Sequence, residues 1–231
     1  MRVALIENMS ATHHGLVGVA LHEAGALIEI FQPWRDGRLP AAGDHDAVVA
    51  FGGAQNALDD ALHPYLPELA RLMAEKAAMG QAVLGICLGS QILARGLGAE
   101  NRIGTAAEFG WVPVHLAPAA GQDPVLRHLP ATFPIFQWHS DTFTLPPGAQ
   151  HLAANPSAAM QCFKSHRAAY GMQFHFEASR AVVAQWSREF SGAADKMCPG
   201  WADLHQSHAA TRGVVADAHG LAIARAWVAL I

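Results

Sequence analysis

Residues 83–93 read VLGICLGSQIL, an apolar run that breaks at a turn of small residues and continues into a helical pattern. The apolar run predicts a buried strand, and Cys87 lies at the junction, with glycine two residues before and two residues after it. A side chain on a sharp strand-to-helix turn projects out of the sheet, where bulky neighbours would clash. The N-terminus of the following helix favours a thiolate over a thiol. The stretch therefore predicts that Cys87 is a nucleophile.

Length and composition limit the classes to which the chain can belong. The 231 residues are predicted to form a single domain, because α/β folds of this size commonly remain undivided. A formal net charge of −4 argues against nucleic acid or an anionic membrane as the main partner, and no apolar run approaches the roughly 20 residues of a membrane span. Three cysteines do not make a disulfide framework in a chain this long, which favours a reducing, cytoplasmic compartment. A small-molecule substrate is the expected partner.

Short apolar strands alternate with helical segments through the first hundred residues. The strands are predicted at residues 2–6, 26–31, 45–51 and 83–86, and the helices at 15–24, 65–79 and from 88 to about 96. Strands that are too apolar to alternate with polar residues are typical of a parallel sheet covered by helices on both faces. The predicted fold class is therefore α/β, doubly wound, with a mostly parallel central sheet and flanking helices.

The character of the sequence changes after residue 100. Proline, glycine and asparagine divide short strands, which predicts a small antiparallel addition to the sheet rather than a second domain. One more strand is expected at residues 170–177, followed by a helix at 179–190 and a loop at 195–201. The remaining residues, 204–231, are predicted to be helical in two pieces, with one apolar face packed on the sheet.

A thiol nucleophile requires a base, and histidine is the usual one. The chain contains 14 histidines, and His175 is selected because it lies at the end of an apolar strand with Glu177 two residues later. Residues two apart on a strand point to the same face, so the carboxylate can orient the imidazole. Cys87, His175 and Glu177 therefore form a candidate site for acyl transfer through a thiol.

Two motifs, GICLGSQ at residues 85–91 and GMQFHFE at 171–177, resemble in sequence and order those of the class I (triad-type) glutamine amidotransferase family. The resemblance covers roughly residues 2–190. Residues 108–114 and 138–141 resemble the branch related to the amidotransferase domain of GMP synthase. The resemblance implies a flavodoxin-like fold and chemistry that uses no metal and no other cofactor.

The family also implies a role for each residue of the motifs. Cys87 would attack the side-chain amide of glutamine and form a γ-glutamyl thioester. His175 would protonate the leaving ammonia and later activate water, while Glu177 holds its ring. The backbone N–H groups of Gly53 and Leu88 would form the oxyanion hole for the tetrahedral intermediate.

Further residues are assigned to substrate binding. Gly52 follows a buried strand, where an α/β sheet brings its backbone against a ligand. By resemblance, Gln91 would help to hold the amino-acid end of the substrate, and His139 and Ser140 match the segment that offers backbone groups to that end. Phe176 departs from the family, because many members have proline at that position.

Three functions remain open at this stage. The first is an amidotransferase that supplies ammonia to a separate synthetase, because residues 1–231 contain no synthetase domain. The second is a γ-glutamyl peptidase that acts on γ-glutamyl conjugates without a partner and needs a wider pocket. The third is a non-catalytic binding or regulatory module, against which the intact triad argues.

Other reactive side chains are interpreted as structural. His13 with His14, and His205 with His208, have spacings that a metal site could use, but no further ligand cluster accompanies either pair. Cys162 and Cys198 have neither flanking glycines nor a nearby base and are predicted to be structural. Trp111 and Trp138 are candidates for the lining of a pocket.

Overall fold

A computed structural model describes residues 1–41 and 43–231. Its strands are β1 (Arg2–Ile6), β2 (Leu27–Phe31), β3 (Ala47–Ala50), β4 (Ala82–Ile86), β5 (Asn101–Arg102), β6 (Glu108–Leu116), β7 (Thr132–His139), β8 (Thr142–Phe143), β9 (Gln150–Ala154), β10 (Cys162–Ser165) and β11 (Ala169–Met172). Its α-helices are α1 (Gly15–Glu23), α2 (Pro33–Asp36), α3 (Leu66–Ala78), α4 (Leu88–Gly96), α5 (Arg180–Glu189), α6 (Ser191–Met197), α7 (Trp201–His208) and α8 (Val214–Val228). A 3₁₀ turn occupies Pro118–Gln122 and a π-helical turn occupies Ala209–Gly213.

The parallel part of the sheet contains five strands in the order β2-β1-β3-β4-β11. Every residue of β3 and β4 is buried, as expected for strands covered on both faces. The chain order reverses between β1 and β3, and such a switch point is where α/β sheets bind ligands. Because the strands are parallel, the segments that follow β1, β3, β4 and β11 meet at one edge of the sheet.

The sheet continues beyond β11 with four antiparallel strands in the order β10-β9-β6-β7. The longest pairing joins β6 to β7, from Glu108 opposite His139 to His115 opposite Thr132. The prediction of a doubly wound α/β fold with antiparallel strands added to the same sheet is confirmed. The short strands β5 and β8 form a separate pair.

Helices cover the two faces of the sheet and enclose two hydrophobic cores. On one face, α1 and α8 contribute Val17, Leu21, Ile223 and Trp227, all fully buried. On the other face, α3 and α4 bury their own apolar residues against β3 and β4. The C-terminal helix packs on the domain as predicted, and α7 runs through the π-helical turn into α8.

The glycines that flank Cys87 allow α4 to lie unusually close to the sheet. A Cβ atom on Gly85 would overlap the carbonyl of Gly89, and a Cβ atom on Gly89 would overlap the carbonyl of Ala50 in β3. Only glycine lets two backbones approach this closely. The spacing of the small residues therefore sets the angle at which the helix leaves the strand.

Two predicted elements differ from the structure. The strand expected at residues 170–177 ends at Met172, because Gln173 N–H donates to the Gln161 carbonyl (2.9 Å) and His175 N–H donates to the Phe136 carbonyl (2.8 Å). The chain thus leaves β4 and crosses to β7, where His175 and Phe136 form an isolated bridge. The loop predicted at 195–201 starts later than expected, because α6 continues to Met197.

Candidate active site

Cys87 is held at the end of β4 in a backbone conformation that few non-glycine residues adopt. Its φ is 52° and its ψ is −111°. Its N–H donates to the Met172 carbonyl (2.8 Å), and its carbonyl accepts the Ser90 hydroxyl (2.6 Å). The strained turn is therefore fixed from both sides, and strain of this kind concentrates at functional sites.

Gly52 and Gly53 bring backbone against the cysteine. A Cβ atom on Gly52 would lie 3.0 Å from His175 Cε1 and 3.5 Å from Cys87 Cβ. A Cβ atom on Gly53 would lie 2.9 Å from Leu88 Cδ2. Leu88 is the first residue of α4, and N–H groups in the first turn of a helix have no acceptor within that helix. The two backbone segments named for the oxyanion hole are thus neighbours beside Cys87.

The imidazole of His175 lies between Glu177 and Cys87. Nδ1 of His175 is 2.7 Å from Oε1 of Glu177, and both side chains are buried. The carbonyl of Glu177 accepts the N–H of Leu16 (2.9 Å), and the chain approaches Gly15 so closely that a Cβ atom there would overlap this carbonyl. The start of α1 therefore fixes the backbone that carries the carboxylate.

The charges of the neighbours control the protonation of His175. Burial by itself lowers the pKa of the imidazolium, since it removes the charged form from water. The attraction of Glu177 and of Cys87 opposes this and outweighs it, so the pKa of His175 is held well above its ordinary value. An imidazolium beside a thiol is the arrangement that stabilises a thiolate.

Two pockets of different chemistry meet at Cys87. The apolar pocket, of about 220 Å³, borders His175 and Glu177 and is walled by Met9, Phe51, Trp138, Trp186, Phe190 and Ala193. The polar pocket, of about 390 Å³, is bordered by Gln55, Asn56, Gln91, His139, Ser140 and Asp141. Gly53, Ala54 and Trp138 separate the two, and the Trp138 carbonyl lies 3.7 Å from the Cys87 sulfur.

The structure brings the residues that the sequence analysis named for substrate binding to these pockets. Gly52 borders the apolar pocket, whereas Gln91, His139 and Ser140 border the polar one. The amide of Gln91 donates to Gln173 Oε1 (3.2 Å), which fixes its orientation. The polar pocket thus carries amide, imidazole and hydroxyl groups next to the nucleophile.

A buried carboxylate supports the wall of the polar pocket. Glu108 accepts hydrogen bonds from the amides of Asn155 and Gln161, the latter at 2.6 Å. Its Oε2 lies 3.1 Å from Nε2 of His139, whose Nδ1 contacts the Asp141 carbonyl at 3.0 Å. Glu108 therefore anchors the segment that faces the substrate pocket.

We expect Glu108→Ala to lower the free energy of unfolding by about 3 to 5 kcal/mol, because it leaves buried donors without an acceptor. Urea denaturation of both proteins measures the difference. Glu100→Ala is the matched control, since the Glu100 side chain is 68% exposed and its loss should change the stability by less than about 0.5 kcal/mol. Equal stabilities of the two variants would contradict the anchoring role.

A polar cluster that was not predicted from the sequence supports the glycine segment. The Asn8 amide donates to the Phe51 carbonyl (2.7 Å), and the Tyr65 hydroxyl donates to Asn8 Oδ1 (3.1 Å). Gln55 donates to the Asn8 carbonyl (2.6 Å). Burial raises the pKa of Tyr65 to about 12, so the hydroxyl remains a donor. The position of Asn8 two residues after β1, at the switch point, was the available signal.

Most walls of the apolar pocket were also missed. Trp186 and Phe190 belong to the segment that was predicted only as a helix at 179–190, and Met9 lies in a loop. Of the two tryptophans expected to line a pocket, Trp138 does so, whereas Trp111 packs against Trp201 in the core. Large apolar residues look the same in sequence whether they fill a core or line a pocket.

The histidines and cysteines that were interpreted as structural lie in several different parts of the fold. Nε2 of His14 lies 2.9 Å from Glu7, and the ring of His205 packs on Trp111. In residues 1–41 and 43–231, no group of three or more His, Cys, Asp and Glu side chains is arranged to hold a metal ion. The three thiols are free, and burial raises the pKa of the Cys162 thiol well above its usual range.

Known proteins resemble this chain over most of its length. A family model described as glutamine amidotransferase class-I matches residues 6–184. The glutamine amidotransferase-like protein YfeJ of Salmonella typhimurium is 30% identical over 164 residues, which cover 68% of this chain and 69% of that protein. A subunit of the glutamine-hydrolyzing GMP synthase of Sulfurisphaera tokodaii is 30% identical over 136 residues, which cover 58% of this chain and 68% of that protein.

A solved structure shows the same fold over the whole length. The glutamine amidotransferase of Methylobacillus flagellatus superposes with a TM-score of 0.88 at 25% identity, over 100% of this chain and 95% of that one. In the described part of the chain, none of the helices combines the length and hydrophobicity that a membrane span requires. The resemblance seen in the sequence is confirmed: the chain belongs to the class I glutamine amidotransferase family.

Proposed function

We propose that this chain hydrolyses the γ-glutamyl amide of glutamine through a thioester on Cys87. The observation that carries the proposal is the imidazole of His175, held 2.7 Å from Glu177 and next to the strained turn at Cys87. A nucleophile, a base and a group that orients the base are the three parts that acyl transfer requires.

In the proposed first half-reaction, the thiolate of Cys87 attacks the side-chain carbonyl of glutamine. The C–S bond forms, and negative charge develops on the carbonyl oxygen, where the N–H groups of Gly53 and Leu88 would stabilise it. The C–N bond then breaks, and the imidazolium of His175 gives its proton to the leaving ammonia. Glu177 keeps the ring in place and favours its charged form.

In the second half-reaction, His175 takes a proton from water, and the resulting hydroxide attacks the thioester. The C–S bond breaks, so glutamate leaves and the thiolate of Cys87 is restored. The polar pocket would hold the amino and carboxylate groups of glutamine through Gln91 and the segment at His139 and Ser140.

We also propose that the ammonia is used by a synthetase on a separate polypeptide in the cytoplasm. The relative from Sulfurisphaera tokodaii supports this, since its name makes it one subunit of a glutamine-hydrolyzing GMP synthase. The acceptor of the ammonia would be fixed by that partner. A mixture of this chain with that synthetase should then hydrolyse glutamine faster than this chain alone.

Covalent labelling tests the nucleophile. A diazo-ketone analogue of glutamine is expected to modify Cys87, and peptide mass spectrometry should locate one adduct in residues 83–93. Excess glutamine should slow the labelling, because both compounds would occupy the polar pocket. Cys198 provides the internal control, since it is the more exposed thiol and would react first if labelling followed exposure alone. An adduct on Cys162 or Cys198 would move the site elsewhere.

A further inference from the structure

Glutamine hydrolysis would leave the larger part of the apolar pocket unused. Ammonia is small and polar, yet the space beside His175 measures about 220 Å³ and is walled mainly by aromatic and aliphatic side chains. For scale, an engineered apolar cavity of about 150 Å³ in another protein holds a benzene molecule. The pocket beside His175 therefore has room for a group of phenyl size with a short linker.

The geometry of the reaction assigns this pocket to the leaving group. At the tetrahedral carbon, the oxygen must face the N–H groups of Gly53 and Leu88, and the glutamyl chain extends into the polar pocket. The remaining substituent, the leaving nitrogen, must face His175 to receive its proton. His175 borders the apolar pocket, so a substituent on that nitrogen would extend there.

The walls of the apolar pocket indicate what kind of substituent fits. The Trp186 ring packs edge-on against the His175 ring, with the ring centroids 5.2 Å apart. The centroid of the Trp138 ring lies 6.3 Å from that of Trp186 and 6.2 Å from that of Phe190. Edge-to-face aromatic walls of this kind favour aromatic and aliphatic guests. Within residues 1–41 and 43–231, the pocket lining contains no lysine or arginine. The lining also contains the imidazoles of His13 and His175, and the His175 imidazolium is already paired with Glu177. A carboxylate placed there would be desolvated beside Glu177 without a lysine or arginine to compensate its charge.

Part of this wall lies outside the stretch that the family model matches. Trp186, Phe190 and Ala193 all follow residue 184, where that match ends. The indole of Trp186 is fixed by a hydrogen bond from Nε1 to the Ala11 carbonyl (3.2 Å), so the wall is rigid. The nucleophile and its base thus come from the matched domain, and much of the leaving-group wall comes from the residues that follow it.

We propose that the chain, in the absence of a synthetase partner, also cleaves γ-glutamyl amides of apolar amines, with an aryl or alkyl group on the leaving nitrogen, and cleaves them faster than glutamine. The inference rests on the proposed thioester chemistry. Cys87 forms the C–S bond, the C–N bond breaks, and the amine leaves with the proton of His175. Water then releases glutamate, so one amide and one water give one glutamate and one amine.

Three substrates test the proposal with the purified chain: glutamine, γ-glutamylphenethylamide and γ-glutamylphenylalanine. The last two differ only in the carboxylate of the leaving amine. We expect kcat/KM for the phenethylamide to exceed that for glutamine and for the dipeptide by at least about tenfold each, as a filled apolar pocket provides. Release of glutamate, followed by chromatography, measures all three rates.

Two variants then test whether the preference for the phenethylamide depends on the apolar pocket. Ala193 is exposed at the rim of the apolar pocket, so Ala193→Phe adds a ring across its mouth. We expect the ratio of kcat/KM for phenethylamide to that for glutamine to fall by about tenfold or more. Ala181→Phe adds the same ring to an exposed position of α5 and should leave both rates unchanged.

The remaining outcomes would contradict either the proposed substrate class or the proposed function. Faster turnover of glutamine, or cleavage of the dipeptide at the rate of the amide, would end the assignment of the pocket to apolar amines. Turnover of none of the three while the diazo-ketone still labels Cys87 would end it as well and leave the nucleophile in place. Absence of both turnover and labelling would overturn the proposed function itself.

Discussion

Cys87→Ala is expected to lower the rate of glutamate release by a factor of about 10⁴ or more, because the proposed thioester forms on the sulfur that this change removes. The fold should persist, since alanine keeps the Cβ atom and loses only the sulfur of a buried side chain. Initial rates with glutamine, together with circular dichroism and the urea midpoint, measure both expectations.

The matched control is Cys198→Ala, which removes a partly exposed thiol and should keep the full rate. Cys162 is less suitable, because it is fully buried beside Asp123 and Tyr170 and its removal would disturb the core. Undiminished turnover in Cys87→Ala, with a normal urea midpoint, would exclude the thioester. A rate that falls equally in Cys198→Ala would point to a general loss of structure.

The turn at Cys87 was predictable because residues close to it in sequence, or in the neighbouring strand, determine its geometry. Gly85 and Gly89 are required by overlaps with backbone atoms only a few residues away or in the next strand, so the spacing of small residues carries the information. The same holds for the apolar strands β1, β3 and β4, whose burial on both faces shows in their composition. The fold class and the turn that holds Cys87 therefore follow from short stretches of sequence.

The rest of the site depends on contacts between distant segments. His175 was selected as the end of a strand, but its position is set by the Phe136 carbonyl, which belongs to a strand far earlier in the chain. Trp186 reaches the pocket because its indole binds the Ala11 carbonyl, 175 residues away. Periodicity in one helix predicts which face is buried and not whether that face meets a core or a cavity. The apolar pocket therefore could not be predicted from the sequence and required the three-dimensional structure.

Glu177 has an effect on pH dependence that a purely structural residue would not have. Burial alone would lower the pKa of His175, and the nearby charges of Glu177 and Cys87 raise it well above its ordinary value. In the proposed reaction, the imidazolium of His175 gives its proton to the leaving amine, so we expect activity to persist with rising pH until that proton is lost. Removing the Glu177 charge should therefore move the alkaline limit of activity to lower pH.

We expect Glu177→Gln to lower kcat by a factor of about 10² to 10⁴, because the amide still accepts from Nδ1 but no longer stabilises the imidazolium. The alkaline limb of the kcat/KM profile should shift toward acid in the same variant. Glu23→Gln serves as the matched control, since it removes an exposed carboxylate paired with Arg225 and should change neither rate nor profile. A lower rate with an unshifted alkaline limb would assign Glu177 to packing alone. The shift itself is expected because the charge of one buried carboxylate keeps the base of this site protonated.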